Sequence, residues 1–75
     1  MKFGKLFYDS EINRVNISFY KGGYGYGYHC GDIINARIPT STDFKKYRIE
    51  YDASKQEWYF VGLGSIPAGT EVSIE

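Results

Sequence analysis

The sequence predicts an all-β domain, a small antiparallel barrel of five or six strands and of the SH3-like kind. Short stretches of alternating apolar and polar residues are separated by turn signals, as in strands with one buried face. Apolar residues do not recur at helical spacing over a dozen positions. The 75 residues predict one domain, 1–75, in which a sheet curled on itself would leave no exposed edges. An OB-like barrel, usually longer, is the alternative.

Two strands are predicted before residue 21. Residues 2–8 are rich in aromatic and branched side chains, which favour strands, and they end at the turn signal Asp9-Ser10. Residues 14–20 alternate cleanly between apolar and polar side chains. Their apolar face is predicted to consist of Val15, Ile17 and Phe19.

Four further strands follow the same logic. They are predicted at residues 32–38, 44–51, 57–63 and 71–75. Pro39 ends the first of these, because proline cannot donate to a strand ladder. Asp52-Ala53-Ser54-Lys55 is typical of a hairpin turn. The glycines and the proline of residues 62–69 predict a tight connection with room for a single helical turn.

Glycine alternates with tyrosine in the segment Lys21–Asp32. If the segment is extended, Tyr24, Tyr26 and Tyr28 share one face, since side chains alternate along a strand. The opposite face then carries only glycines, so that another part of the chain can approach closely. Two interpretations stay open and are equally weighted. The three rings form an aromatic wall of the core, or they form a displayed binding surface.

The charges exclude a generally basic surface. Nine Lys and Arg residues balance nine Asp and Glu residues, so a phosphate-binding site would have to be a local patch. The single cysteine excludes an intramolecular disulfide. Residues 1–20 lack the apolar core of a signal peptide, and no apolar run is long enough to cross a bilayer. We therefore expect a soluble protein of the cytoplasm, with no membrane partner.

The block His29-Cys30-Gly31-Asp32 invites a catalytic or metal interpretation. A nucleophilic cysteine needs a base within reach, however, and neighbours on an extended backbone point to opposite faces. Zinc needs three or four ligands, which one cysteine and one histidine do not supply. We favour a structural role, in which Gly31 takes a positive φ, Asp32 accepts backbone N–H bonds and Cys30 is a small buried hydrophobe. We therefore predict no catalytic residues, no metal and no cofactor.

Four fragments together resemble a group of short bacterial and bacteriophage proteins known only as a domain of unknown function. The fragments are Gly4-x-Leu6-x-Tyr8, Tyr28-His29-Cys30-Gly31-Asp32, Tyr47-Arg48-Ile49-Glu50-Tyr51 and Trp58-Tyr59-Phe60-Val61-Gly62. The resemblance extends from Gly4 to about Ile74. It implies no catalytic residues. It also implies that the gene belongs to a phage or mobile element, where small proteins often bind and block a host protein, for example in antiviral defence.

We therefore expect a non-enzymatic module that binds a host protein. Tyrosine suits protein hot spots, and the predicted contact residues are Tyr24, Tyr26 and Tyr28, with Trp58 and Arg48 secondary. A core position is favoured for Trp58. If its side chain points outward instead, it could form one groove with the tyrosines. The alternative function is binding of single-stranded nucleic acid or a nucleotide, whose bases would stack on the rings. A homodimer through a bare strand edge is also plausible.

Overall fold

A computed structural model describes residues 1–75, and it is all-β, as predicted. The seven strands are β1 (Lys2–Asp9), β2 (Arg14–Phe19), β3 (Ile33–Arg37), β4 (Lys45–Asp52), β5 (Glu57–Phe60), β6 (Gly64–Ser65) and β7 (Glu71–Ile74). They form one antiparallel sheet in the order β2-β1-β7-β3-β4-β5-β6. The last strand thus lies between the first and the third. The fold contains no helix that could cross a membrane.

The sheet is not closed into a barrel. Its outermost strands, β2 and β6, do not pair with each other, so neither the SH3-like nor the OB-like closure is confirmed. One reason is that β6 has only two residues, which pair with β5. The other is that the outer edge of β2 already receives backbone hydrogen bonds from the glycine-tyrosine segment. The sheet also has one strand more than the five or six predicted.

The core forms where the predicted apolar faces meet. The fully or almost fully buried apolar side chains are Val15, Ile17, Ile34, Ala36, Ile49, Phe60 and Val72. They come from five strands, and Val15 and Ile17 lie on the face of β2 that alternation predicts as apolar. Half-buried Tyr47 stacks on Phe60, with ring centroids 4.7 Å apart and planes inclined by 12°. An aromatic pair of this kind fills much of the interior of so small a domain.

The connection between β5 and β7 contains no helical turn, so that expectation is wrong. Turns and the short strand β6 occupy it instead. Thr70 at its end is fully buried, and its hydroxyl donates to the carbonyl of Pro67 at 2.6 Å. The amide of Leu6 donates to the carbonyl of Thr70 at 3.0 Å, which fastens the connection to β1. These tertiary bonds satisfy the backbone without a helix.

Glu71 on β7 joins two neighbouring parts of the sheet. Its carboxylate accepts a hydrogen bond from the Tyr20 hydroxyl at 2.5 Å and forms an ion pair with Arg37. These bonds from Tyr20 and Arg37 hold the pKa of Glu71 below its ordinary value of 4.5. A carboxyl group whose pKa is lower in the folded chain stabilises the fold above its unfolded pKa and stops doing so as the pH falls.

Replacing Glu71 with glutamine is therefore expected to lower the melting temperature at neutral pH. This decrease in melting temperature should become smaller in acid. Melting curves followed by circular dichroism from about pH 7 to about pH 3 would measure this. The difference from wild type should begin to narrow once the pH falls below about 4.5, where the Glu71 carboxylate of the unfolded chain takes up a proton, and it should shrink further as the pH passes the lower pKa of the folded chain. Glu75→Gln, at the exposed C-terminus and outside the ion pairs, is the control. A difference that stays constant at every pH would contradict the prediction.

Candidate binding surface

The glycine-tyrosine segment lies along the outer edge of β2. The amide of Phe19 donates to the Gly23 carbonyl and the amide of Gly25 donates to the Ile17 carbonyl, both at 3.0 Å. The amide of Tyr28 donates to the Val15 carbonyl at 2.8 Å. The segment is not a regular strand, because these bonds are interrupted by glycines with positive φ. Its backbone nevertheless covers the edge that β2 would otherwise expose.

Asn16 holds this segment in place, and the alternation in β2 does not predict it. Its side chain is buried, although in the sequence Asn16 stands between the inward residues Val15 and Ile17. The amide nitrogen Nδ2 donates to the Gly25 carbonyl at 3.1 Å, and Oδ1 accepts the amide of Gly27 at 3.0 Å. A buried polar side chain with satisfied partners acts as a fixed bracket for the chain it contacts.

Two glycines are needed because the segment passes so close to its neighbours. A Cβ atom on Gly25 would lie 2.6 Å from Cγ2 of Ile17. A Cβ atom on Gly27 would lie 2.7 Å from Cδ1 of Ile12, and Gly27 also has a φ of 89°. Both distances are shorter than van der Waals contact allows. The expectation that the glycine face permits close approach is therefore confirmed.

The three tyrosines do not share one face. Tyr24 and Tyr26 point outward, with exposed fractions of 69% and 98%. Tyr28 is half-buried against the core, because the positive φ of Gly27 breaks the alternation before it. Burial, together with the charge of Asp32, raises the pKa of the Tyr28 hydroxyl. The core and surface interpretations thus each hold for part of the run.

A first pocket of about 750 Å³ opens between β1, the β4–β5 hairpin and residues 66–69. The rings of Tyr8, Tyr51 and Trp58 line it. The rings of Tyr51 and Trp58 lie 5.2 Å apart with their planes inclined by 56°. Trp58 also packs against the core, so its side chain is partly buried and also lines the pocket. Its buried Nε1–H has no hydrogen-bond partner.

A second pocket of about 630 Å³ adjoins the first and shares Phe7 and Tyr8 with it. Tyr24 and Tyr26 line its other side, and the rings of Phe7 and Tyr24 lie 5.6 Å apart. The two pockets meet at Phe7 and Tyr8 of β1, and we call the aromatic residues of both linings together the aromatic surface. It consists of Phe7, Tyr8, Tyr24, Tyr26, Tyr51 and Trp58.

The charged residues that line the two pockets are all acidic. Asp9 and Glu11 line the second pocket and Glu57 lines the first, while neither lining contains a lysine or an arginine. Arg48, predicted as a secondary contact residue, lies outside both pockets. It is on β4 opposite Ile33, and its Nε donates to Glu50 at 2.6 Å. The structure therefore places Tyr24 and Tyr26 at the second pocket and Trp58 at the first, and it places Arg48 at neither.

The residues missed by the sequence analysis are Tyr51 of β4 and, in the first strand, Phe7 and Tyr8. The position of Phe7 and Tyr8 in the first strand was predicted, but strand alternation alone does not show that both pockets share them. The signal was available in part, because residues 3–8 contain three aromatic side chains next to a turn. An aromatic strand end beside a second aromatic segment is a pattern from which a shared surface could have been proposed.

The block His29-Cys30-Gly31-Asp32 forms a turn that is fastened to β4. Gly31 has a φ of 89°, and Asp32 accepts the amide of His29 at 2.7 Å, as predicted. The amide of Gly31 donates to the carbonyl of Ile49 at 2.8 Å, and the amide of Ile49 donates to the backbone carbonyl of Asp32 at 3.0 Å. Cys30, however, is exposed, so its predicted burial is wrong, because the turn points it away from the core. No group of three or more His, Cys, Asp or Glu residues is placed to hold a metal.

Comparisons with known proteins identify relatives without assigning an activity. A family model described as a domain of unknown function (DUF5348) matches residues 4–74. The chain is also similar to a protein from Ruminococcus gnavus, whose crystal structure was a target of the Northeast Structural Genomics Consortium. The two are 31% identical, with a TM-score of 0.72, over 96% of this chain and 99% of that one. None of the curated proteins matches the sequence.

Proposed function

Since the chain belongs to the family of the domain of unknown function DUF5348, we propose a function from its own geometry: it is a non-catalytic module that binds a protein partner through the aromatic surface. The observation that carries the proposal is that two pockets meet at Phe7 and Tyr8 on β1. Aromatic side chains from β1, from the β4–β5 hairpin and from the glycine-tyrosine segment line these pockets. Such areas bind proteins well, because a few aromatic anchors supply most of the energy of an interface.

The exposed tyrosines fit this role better than a role in stability. Tyr26 is 98% exposed, so its ring contributes almost nothing to the core. An ordered, outward aromatic side chain on a fixed backbone loses little conformational entropy on binding. The bracket formed by Asn16 provides the fixed backbone. We infer that the glycine-tyrosine segment is kept rigid in order to present Tyr24 and Tyr26.

We further propose that the protein acts in the bacterial cytoplasm, that its gene belongs to a phage or mobile element, and that its partner is a host protein. Blocking of a defence component is the form of action that we expect. The support is the small size of the domain and the resemblance of its sequence to short bacterial and phage proteins. A module without a catalytic set acts by occupying a surface of its partner.

An SH3-like relation is also proposed, although the sheet is open. Leu6 of β1 and Trp58 of β5 line the same pocket, even though β7, β3 and β4 separate these strands in the ladder. The sheet is therefore strongly coiled, so that its two halves meet around the core.

Self-association through a strand edge stays a prediction. The edge of β2 is occupied by residues 23–28, which leaves β6 as the shorter alternative.

Binding of single-stranded nucleic acid or of a nucleotide is the second candidate, since the exposed rings could stack on bases. The carboxylates Asp9, Glu11 and Glu57 in the linings weigh against it, because they repel phosphates. A salt titration of oligonucleotide binding separates the two functions. Affinity that falls steeply with salt would favour nucleic acid, and absent or salt-insensitive binding would favour the protein partner.

The double replacement Tyr24→Ala and Tyr26→Ala is expected to abolish capture of the partner while leaving the melting temperature nearly unchanged. Both rings are exposed, so their removal costs little folding energy but removes two anchors of the interface. Affinity capture from host-cell lysate with mass spectrometry would identify proteins bound by wild type, and calorimetry with the purified partner would measure the loss.

Ile33→Ala is the matched control, because Ile33 is a large exposed apolar residue outside both pockets. It should leave capture intact. A double tyrosine variant that still captures the partner would contradict the proposed surface. A double variant that no longer folds would show that the two rings belong to the core.

A further inference from the structure

We propose that the glycine-tyrosine segment takes an extended segment of the partner as an added β-strand, through the backbone of Tyr24 and Tyr26. The inference rests on the proposed function, since it names how the partner is held beside the second pocket. In strand addition, main-chain hydrogen bonds supply the affinity and alternate side chains supply the specificity. From the sequence, a role was predicted for the rings of these tyrosines and none for their backbone.

The hydrogen bonds that join the segment to β2 come from alternate residues. The Gly23 carbonyl accepts the Phe19 amide, and the Gly25 amide donates to the Ile17 carbonyl, both at 3.0 Å. In an antiparallel pair, the N–H and C=O of one residue point to the same side, and those of the next residue point to the opposite side. Tyr24 stands between the two glycines, so its N–H and C=O point away from β2.

The same arrangement continues at Tyr26. The Gly25 carbonyl and the Gly27 amide both bond to the side chain of Asn16, so the groups on either side of Tyr26 face β2. The N–H and C=O groups of Tyr24 and Tyr26 have no hydrogen-bond partner in the chain, and both residues are exposed. The outer edge of the segment thus presents two N–H and two C=O groups, which an added strand would satisfy with four hydrogen bonds.

This edge lacks the features that usually prevent strand addition. Proteins protect an exposed edge with proline, with charged side chains or with a covering element. Residues 22–28 contain no proline and no charged side chain. The extended part is nevertheless short, because Gly23 and Gly27 have positive φ angles of 88° and 89°. The edge is therefore open over a length that suits one short segment of a partner.

The rings beside the edge indicate which side chains the added strand carries. The rings of Phe7 and Tyr24 lie 5.6 Å apart, and Tyr26 lines the same pocket. Partner residues directly opposite Tyr24 and Tyr26 would place their side chains next to these rings. Aromatic and β-branched side chains make favourable cross-strand pairs with an aromatic ring. The occupant is thus an extended segment with such residues at alternate positions.

NMR of the full, isotope-labelled chain tests this pairing, with an acetylated and amidated pentapeptide of alternating threonine and valine as the probe. Both residues have high strand propensity. The Tyr24 and Tyr26 amide resonances should shift saturably with a dissociation constant of about 1–10 mM, because a short strand supplies only part of an interface. The amides of Gly25 and Tyr28 already donate to β2 and should shift much less. The same peptide with every amide N-methylated should produce almost no shift, since it keeps the side chains but cannot donate.

Tyr26→Pro and Tyr26→Ala form a matched pair of variants. Both lack the ring, but only the proline variant lacks the outward N–H, at an edge position of the kind where proline is tolerated. The proline variant should bind the peptide about fivefold more weakly than the alanine variant, as expected for one lost hydrogen bond. Circular dichroism would verify that both variants fold. If the proline variant does not fold, the alternation of shifts in the wild-type chain still decides the question.

The absence of a saturable shift up to about 20 mM peptide, or equal shifts with the N-methylated peptide, would overturn strand addition. A Gly25 amide that shifts as much as its neighbours would also overturn it, because pairing at one edge affects alternate residues. Tyr24 and Tyr26 amides that shift with protein concentration, in the absence of peptide, would assign the edge to a second copy of this chain and overturn its assignment to the partner.

The outcomes separate this inference from the proposed function. If the peptide fails to bind but the double tyrosine variant loses its partner, the proposed function stands and strand addition falls. If the peptide binds with the alternating shifts and the double variant keeps its partner, the edge stands and the proposed role of the rings falls.

Discussion

Replacing Phe60 with alanine is expected to lower the free energy of unfolding by about 3–5 kcal/mol. Phe60 is fully buried, stacks on Tyr47 at 4.7 Å and belongs to the central apolar cluster. A domain of this length has a total stability of only about 4–11 kcal/mol. The variant should therefore be close to unfolded at physiological temperature. Urea unfolding followed by circular dichroism measures the loss.

The matched control is Phe3→Ala, since Phe3 is a phenylalanine that is 43% exposed. It should change stability by about 1 kcal/mol or less. Phe60→Leu gives a second measurement in case the alanine variant does not fold, because it removes less volume and should cost less. If Phe60→Ala were no more harmful than Phe3→Ala, then Phe60 would not be central to the core.

The strands and their inward faces were accessible from the sequence because alternation is a local property. Val15 and Ile17, or Ile34 and Ala36, are inward for the simple reason that a strand turns every second side chain to one side. Closure of the sheet is not local in this sense. It depends on whether the outermost strands are long enough and free to pair, and in this chain β6 is short and the edge of β2 is occupied.

The candidate surface could also be predicted only in part. Tyr24 and Tyr26 are exposed, which agrees with the interpretation of the three rings as a displayed surface. Tyr28 departs from them at Gly27, where a positive φ changes the direction of the chain. At Gly27 this conformation is accompanied by a tertiary contact, the bond from the Gly27 amide to Asn16. Local patterns do not contain that information.

Replacing Asn16 with alanine is expected to lower the free energy of unfolding by about 2–4 kcal/mol, because buried backbone groups lose their partners. Gly25 would lose the donor to its carbonyl and Gly27 the acceptor for its amide. The loss should be uneven along the chain. Hydrogen exchange should show that the Gly27 amide loses most of its protection. The Gly31 amide donates to the Ile49 carbonyl, so its protection should fall only as far as the global stability falls.

Asn35→Ala is the matched control, because half-buried Asn35 makes one side-chain hydrogen bond, to the hydroxyl of Ser73 at 2.6 Å. It should cost about 1 kcal/mol and leave the Gly27 amide protected. The comparison also tests how stability and binding are connected. If Asn16 fixes the backbone beneath Tyr24 and Tyr26, its replacement should weaken partner binding although its own side chain is buried. Unchanged protection of Gly27 together with unchanged binding would show that the glycine-tyrosine segment keeps its shape without the bracket.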